Sequence, residues 1–84
     1  MIITTQPQII RKPEVIKMAG FSKSTLYNRI QQGLWPKPIS LGFRAVGFIQ
    51  AECEAVLKAM IAEQSPEQIK TLVQELIAQR KQLA

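Results

Sequence analysis

A stretch bounded by two glycines, GFSKSTLYNRIQQG at residues 20–33, constrains the fold more than any other part of this 84-residue chain. Ser22 suits the position before a helix, where its hydroxyl can accept a hydrogen bond from the first turn. Gly20 and Gly33 suit helix ends because glycine readily adopts left-handed backbone angles. The pattern therefore predicts a short helix over 22–32, separated by a tight turn from the segment before it.

A shorter helical segment precedes this turn, and extended chain follows the glycine-bounded stretch. Pro13 suits the first position of a helix, so we predict a helix from Pro13 to Ala19. Two short helices joined by a turn that contains glycine are typical of a helix-turn-helix. Pro36 and Pro38 then exclude a helix, and alternating apolar residues on either side of 42–44 predict a small β-hairpin.

The predicted hairpin needs support, because a two-stranded hairpin is only marginally stable alone. We expect Trp35, Phe43 and Phe48 to pack it against the helices, with solvent exposure as the alternative for Phe43 at the tip. Residues 1–9 lack helical periodicity and are predicted to form an N-terminal tail, either free or extended against the domain.

The C-terminal half of the chain has a helical pattern. Residues 50–63 contain neither glycine nor proline. Ser65 and Gln68 form a capping-box pattern, and the apolar spacing after them predicts an amphipathic helix to about residue 82. The pattern leaves open whether this last helix packs onto the domain or mediates self-association. The apolar stripe expected on the helix over 50–63 consists of Cys53, Val56, Leu57, Met60 and Ile61.

Positive charge is confined to the N-terminal half. Residues 10–48 carry seven Lys or Arg side chains and one Glu, a net charge of +6, whereas residues 49–84 carry a net charge of −1. Such an asymmetry is typical of a surface that binds a polyanion such as nucleic acid. A basic surface that is merely solvated is the alternative.

The residue types present argue against catalysis. The chain has no histidine and a single cysteine, Cys53, so it lacks a Cys/His zinc site and a Ser-His or Cys-His pair. We therefore expect no enzymatic activity, catalytic residue, metal, cofactor or small-molecule ligand. We also expect a cytoplasmic, nucleoid-associated protein without a membrane segment, because the sequence shows no targeting signal and no apolar run of about 20 residues.

A helical wheel shows which side of the helix over 22–32 is available for binding. Leu26 and Ile30 point inward together, and Asn28 lies almost opposite them. Amides, hydroxyls and cations are the groups that contact base edges and phosphates. A solvated helix face is the alternative, but the adjoining helix, the turn and the local charge favour DNA recognition. The remaining polar side chains of this helix are Lys23, Ser24, Thr25, Tyr27, Arg29, Gln31 and Gln32.

The predicted hairpin carries cations at both ends. Lys37 lies at its base and Arg44 at its tip. An arginine on a projecting loop can enter a narrow, electronegative minor groove or bind phosphate. An ordinary turn arginine is the alternative.

The order and spacing of these motifs resemble the AlpA family of phage-type transcriptional regulators, within the MerR-like winged-helix group that includes small excisionases. The resemblance covers roughly residues 10–62 and is most specific at SKSTLY (22–27), at Gly33 with PKP (36–38), and at LG with RAVGF (41–48). It departs from the usual family pattern at Ala19, Asn28, Phe48 and Gln50, where threonine, arginine, tryptophan and serine or aspartate are usual.

The resemblance implies a mainly α fold with a small β-hairpin wing, a winged helix-turn-helix of the MerR or excisionase type. The recognition helix would be 22–32 and the wing 37–47, within a DNA-binding domain over 10–63 that is followed by a C-terminal amphipathic helix over 64–84. Base contacts are expected from Lys23, Ser24, Thr25 and Asn28, and phosphate or minor-groove contacts from Tyr27, Arg29, Lys37 and Arg44.

We therefore predict a sequence-specific regulator of prophage or mobile-element type that binds double-stranded DNA. One alternative is an excisionase-type architectural protein, and another, from a different class, is a protein-interaction adaptor that uses the C-terminal helix. A homodimer through that helix would add specificity, because one recognition helix and one wing bury little surface.

Overall fold

The computed structural model of the chain describes residues 8–82, in which a mainly helical fold contains a small three-stranded antiparallel sheet. Along the chain the elements are β1 Ile9–Ile10, α1 Lys12–Ala19, α2 Lys23–Gln31, β2 Ile39–Gly42, β3 Ala45–Ile49, α3 Gln50–Ile61, α4 Pro66–Gln79 and a 3-10 turn Arg80–Gln82. No helix within this described part is long and apolar enough to cross a membrane.

Local capping signals define the first two helices, as the sequence predicts. The backbone N–H of Arg11 donates to Glu14 Oε1 at 2.9 Å at the start of α1. Gly20 ends that helix with a φ of +74°. The Ser22 hydroxyl accepts from the backbone N–H of Thr25 at 3.1 Å and so caps α2. Each contact satisfies a backbone group that a helix end would otherwise leave unpaired.

The sheet contains one more strand than the predicted hairpin. β3 is central, with β2 on one side and the two-residue strand β1 on the other. Ile9 pairs with Ile49 and Ile10 with Phe48, so the predicted tail is extended against the domain at this point. Gly47 makes this approach possible, because a Cβ there would collide with Ile9 Cγ2. The rest of the predicted tail, residues 1–7, lies outside the described residues.

The core draws on all four helices and on β3. Phe21 packs edge-to-face on Trp35 with 5.2 Å between ring centroids. Burial raises the pKa of the Cys53 thiol to about 12, so the thiol stays protonated and serves as a core side chain. The α4 helix packs into this same core. The buried apolar side chains of the cluster are Val15, Leu26, Trp35, Phe48, Cys53, Val56, Ala59, Ile69 and Val73.

Two apolar side chains lie outside the core, Ile61 against expectation and Phe43 in agreement with the alternative given for it. The apolar spacing predicts Ile61 within the buried stripe of the helix over 50–63, but this side chain is 79% exposed. It is the last residue of α3, and the buried line of that helix instead runs through Cys53, Val56 and Ala59. Phe43 does not pack against the helices, since it is 89% exposed at the hairpin tip.

A buried ion pair connects the end of α4 to the rest of the fold. Glu52 is only 5% exposed, and its carboxylate accepts from Arg80 Nε at 2.8 Å and from Arg80 Nη2 at 2.6 Å. Arg80 Nη2 also donates to the Lys37 carbonyl at 2.7 Å. The bidentate contact with Glu52 joins the end of α4 to α3, and the bond to the Lys37 carbonyl joins it to the base of the hairpin.

Candidate nucleic-acid interface

The α2 helix is anchored along one narrow line, which leaves most of its circumference in solvent. Leu26 is 1% exposed and Ile30 is half-buried. Tyr27 is 61% exposed despite its large ring. A helix that needs so few core contacts can present polar groups on almost every other side. The predicted site residues of α2 that are exposed are Lys23, Ser24, Thr25, Tyr27 and Asn28.

The N-terminal end of α2 is ordered by its own hydroxyl groups. The Ser22 hydroxyl donates to Thr25 Oγ1 at 2.9 Å, while it accepts from the backbone N–H of the same residue. The Thr25 hydroxyl is also exposed, so it remains available for a hydrogen bond to a ligand. Because its orientation is fixed by the contact with Ser22, Thr25 loses little side-chain freedom on binding a ligand.

Arg29 is the one predicted site residue of α2 that is not fully exposed within the described part of the chain. Its Nη2 donates to the Leu34 carbonyl at 3.3 Å and contacts Met60 Sδ at 3.5 Å. The guanidinium also lies over the Phe21 ring, 5.4 Å from its centroid. Burial lowers the pKa of Arg29 from its ordinary value. The side chain thus lies against Leu34, Met60 and Phe21, and its predicted contact with a phosphate stays a prediction.

The hairpin presents its cations at two places. Lys37 is exposed at the base, and its carbonyl is fixed by Arg80. Arg44 is exposed at the tip, where its backbone has a φ of +59° and its guanidinium lies 5.2 Å from the centroid of the Phe43 ring. The left-handed conformation is costly for a residue other than glycine. Arginine at this position therefore offers no conformational advantage over glycine.

A groove of about 370 Å³ separates α2 from the hairpin. Its lining combines the inward side of α2 with Val46 and Phe48 of β3. Among residues 8–82, the charged side chains that line it are Lys12 and Lys23, both positive. Lys12 was not among the predicted site residues, because its position in sequence does not reveal that the start of α1 lies beside α2 and β3. The remaining lining residues are Ser24, Leu26, Tyr27, Ile30 and Pro38.

The structure therefore brings most of the predicted site residues to two neighbouring elements. Lys23, Ser24 and Tyr27 lie on the groove itself. Thr25 and Asn28 are exposed on the same helix, and Lys37 and Arg44 are exposed at the two ends of the hairpin. The arrangement offers hydrogen-bond donors and acceptors on α2, with Lys12 and Lys23 beside the groove and two further cations at the ends of the hairpin.

Comparison with known proteins agrees with the resemblance seen in the motifs. A family model described as Prophage CP4-57 regulatory protein (AlpA) matches residues 8–58. An uncharacterized protein of Enterobacteria phage P4, ORF88, is 38% identical over 58 residues, a region that covers 69% of this chain and 66% of that protein. No solved structure gives a significant match. The matched region contains α1, α2 and the hairpin. Because the family model covers more than half of the chain, the chain belongs to the AlpA family of phage regulatory proteins.

Proposed function

We propose that this protein is a sequence-specific transcriptional regulator that binds double-stranded DNA as a winged helix-turn-helix. The α2 helix enters the major groove, which is wide enough to admit an α-helix, and the β2–β3 hairpin is the wing. One observation carries the proposal: α2 and the hairpin border a single groove, and within the described part of the chain the charged residues that line it are both lysines. Membership of a phage regulatory family supports it.

The groove has a specific part in this proposal. In B-DNA a sugar-phosphate strand separates the major groove from the minor groove, so a protein that contacts both must accommodate that strand between its two elements. Lys12 and Lys23 would neutralise phosphates there, with the Tyr27 hydroxyl as an additional donor. In this proposal the phosphate strand lies beside the lysines and Tyr27, and not against the apolar part of the groove, which is lined by Leu26, Ile30, Pro38, Val46 and Phe48.

Roles of the individual side chains follow from their positions. Ser24, Thr25 and Asn28 are assigned to base edges, because they are exposed on the first two turns of α2. Lys23 reaches both the bases and the phosphate strand. Arg29 is assigned a supporting role, since its guanidinium is already engaged with Leu34 and Met60. The proposed function is binding without catalysis, for which a chain that has no histidine is adequate.

Salt dependence provides the direct test of DNA binding. The protein is titrated into its best duplex, selected from a random library at about 150 mM KCl, and the affinity is measured by fluorescence anisotropy over a range of salt. With four or five phosphate contacts, the logarithm of the association constant should fall with log salt at a slope of about −4. An affinity that scarcely changes with salt would refute the electrostatic contribution proposed for the lysines.

The excisionase alternative shares this mode of binding. Recombination assays, compared with promoter-reporter assays, separate the two roles.

The adaptor alternative is less favoured, because Ile69 and Val73 of α4 are buried in the core of the same chain. A homodimer through α4 would have to use other side chains for the same reason. An inverted repeat in the selected duplexes would support a dimer on DNA, and a single unrepeated site would support a monomer.

Replacing Arg44 with glycine should separate DNA binding from stability. Glycine adopts a φ of +59° without strain, so the free energy of unfolding should remain within about 1 kcal/mol of wild type. Loss of the guanidinium should weaken DNA binding about tenfold. It should also reduce the magnitude of the slope of log association constant against log salt by about one. Urea denaturation and anisotropy measure the two quantities. Unchanged affinity in a stably folded Arg44→Gly variant would contradict the role assigned to this residue.

A further inference from the structure

The tip of the hairpin exposes an aromatic ring that the fold does not use. Phe43 is 89% exposed, more than any other large apolar side chain in the described part of the chain. Turns ordinarily take glycine, asparagine, aspartate or serine, which tolerate both solvent and unusual backbone angles. A phenylalanine there adds nothing to the core, since its ring is clear of the helices. The ring is therefore free to contact a partner outside the chain.

The backbone around Phe43 directs its side chain away from the protein. Gly42 has a φ of +132° and Arg44 a φ of +59°, so both neighbours adopt left-handed conformations. The pairing of β2 with β3 also shifts register between Ser40 and Gly42. Irregularities of this kind commonly redirect a side chain at a strand end. The tip is therefore a turn of irregular backbone that projects an aromatic ring and a guanidinium next to each other.

The adjoining arginine indicates which partner the ring meets. The Arg44 guanidinium lies over the Phe43 ring, 5.2 Å from its centroid. A partner that contacts one of these two groups would therefore also meet the other. A narrow minor groove attracts arginine through its negative potential. Proteins that bind in the minor groove frequently insert an apolar side chain between base pairs, which unstacks the step and bends the duplex. A cation and an exposed ring on one projecting turn fit this mode of binding.

We propose that Phe43 inserts as a wedge between two adjacent base pairs in the minor groove when Arg44 enters it, and that this bends the bound DNA. The inference rests on the proposed function and adds to it a distortion of the DNA. Pyrimidine–purine steps such as TA unstack most easily, so the step at the wing should be of this type. Specificity would then arise at a position that α2 does not contact.

The test uses the full chain and the duplex selected from the random library, in wild-type form and with Phe43→Ser. Bending is measured by energy transfer between dyes on the two duplex ends, and unstacking by the permanganate reactivity of each thymine. Wild type should shorten the distance between the ends and make one thymine at the wing position reactive. Phe43→Ser should lose both signals while its affinity stays within about tenfold, because the favourable insertion of the ring and the cost of unstacking largely offset each other.

Phe43→Leu provides the matched control, since leucine is also an effective wedge but has no aromatic ring. It should retain the bend and the reactive thymine. Both variants should melt at the wild-type temperature, because residue 43 lies outside the core. If wild type binds with a steep salt slope but neither bends nor unstacks the duplex, the wedge is refuted and the proposed function stands. If wild type selects no duplex at all, the proposed function itself fails.

A third result would also overturn the inference. If Phe43→Ser bends and unstacks the duplex as wild type does, the ring is not the wedge. Arg44→Ala adds an independent check in the same assay. It should lower affinity, and the remaining complexes should show a weaker bend, because the ring is no longer drawn into the groove.

Discussion

Replacing Arg80 with alanine is expected to destabilise the protein by about 3–5 kcal/mol, because it leaves the buried carboxylate of Glu52 without its partner. The loss of stability should lie near the lower end of this range, because the Arg80 side chain is 15% exposed and solvent can therefore reach part of the ion pair. A small domain commonly has a total stability of about 5–10 kcal/mol, so much of the variant would be near unfolding. Urea denaturation followed by the fluorescence of buried Trp35 gives the measurement.

Two variants control this prediction. Lys81→Ala removes a neighbouring exposed cation and should cost less than about 0.5 kcal/mol. The double variant Glu52→Leu with Arg80→Met removes both charges and should recover most of the stability lost in Arg80→Ala. Equal stabilities for Arg80→Ala and Lys81→Ala would show that the ion pair does not hold the end of α4 in solution.

Reversing the charge of Lys23 is expected to abolish most of the DNA affinity while the fold remains intact. Lys23→Glu removes a cation that lines the groove and places a carboxylate beside the proposed path of the phosphates. A lost contact worth about 1–3 kcal/mol, together with the new repulsion, predicts a loss of about 100-fold or more. Lys23 is exposed, so the unfolding free energy should change little, and the first helical position favours a carboxylate.

Lys81→Glu is the matched control for this experiment. It makes the same change in net charge, but at an exposed position in the 3-10 turn after α4. Its effect on affinity should stay within about threefold, because separated charges are screened over about 10 Å at moderate salt. Similar losses for Lys23→Glu and Lys81→Glu would mean that net charge alone drives binding, which would contradict a defined interface on α2.

Local signals predicted the parts of the fold that depend on neighbouring residues. The caps at Ser22 and Ser65 and the stop at Gly20 occur as expected, because each involves atoms only a few residues apart. β1 was missed as a strand, since two residues are too short for any alternation to be visible. The pair between Glu52 and Arg80 was missed because 28 residues separate its members and only tertiary packing brings them together.

In the candidate site, too, the sequence predicted what depends on neighbouring residues and missed what depends on tertiary contacts. Helical periodicity identified Leu26 as the buried contact of α2 and Asn28 as an exposed side chain. It could not place Arg29, whose long side chain reaches Met60, 31 residues away. Nor could it include Lys12, which joins the groove only because α1 lies against the sheet. Periodicity gives the direction of a Cβ atom, whereas the end of a long side chain follows from tertiary contacts.

The most direct test of sequence-specific recognition by α2 is selection of bound duplexes from a random library by wild type and by Asn28→Ala. Asn28 is exposed on α2, and an asparagine amide can bind adenine with two hydrogen bonds. Wild type should enrich one defined site. The variant should enrich the same site with relaxed preference at a single base pair, since a well-made bidentate contact contributes about 1–3 kcal/mol of discrimination. Identical selected sites for both proteins would contradict base recognition by Asn28, and no enrichment by wild type would contradict DNA recognition altogether.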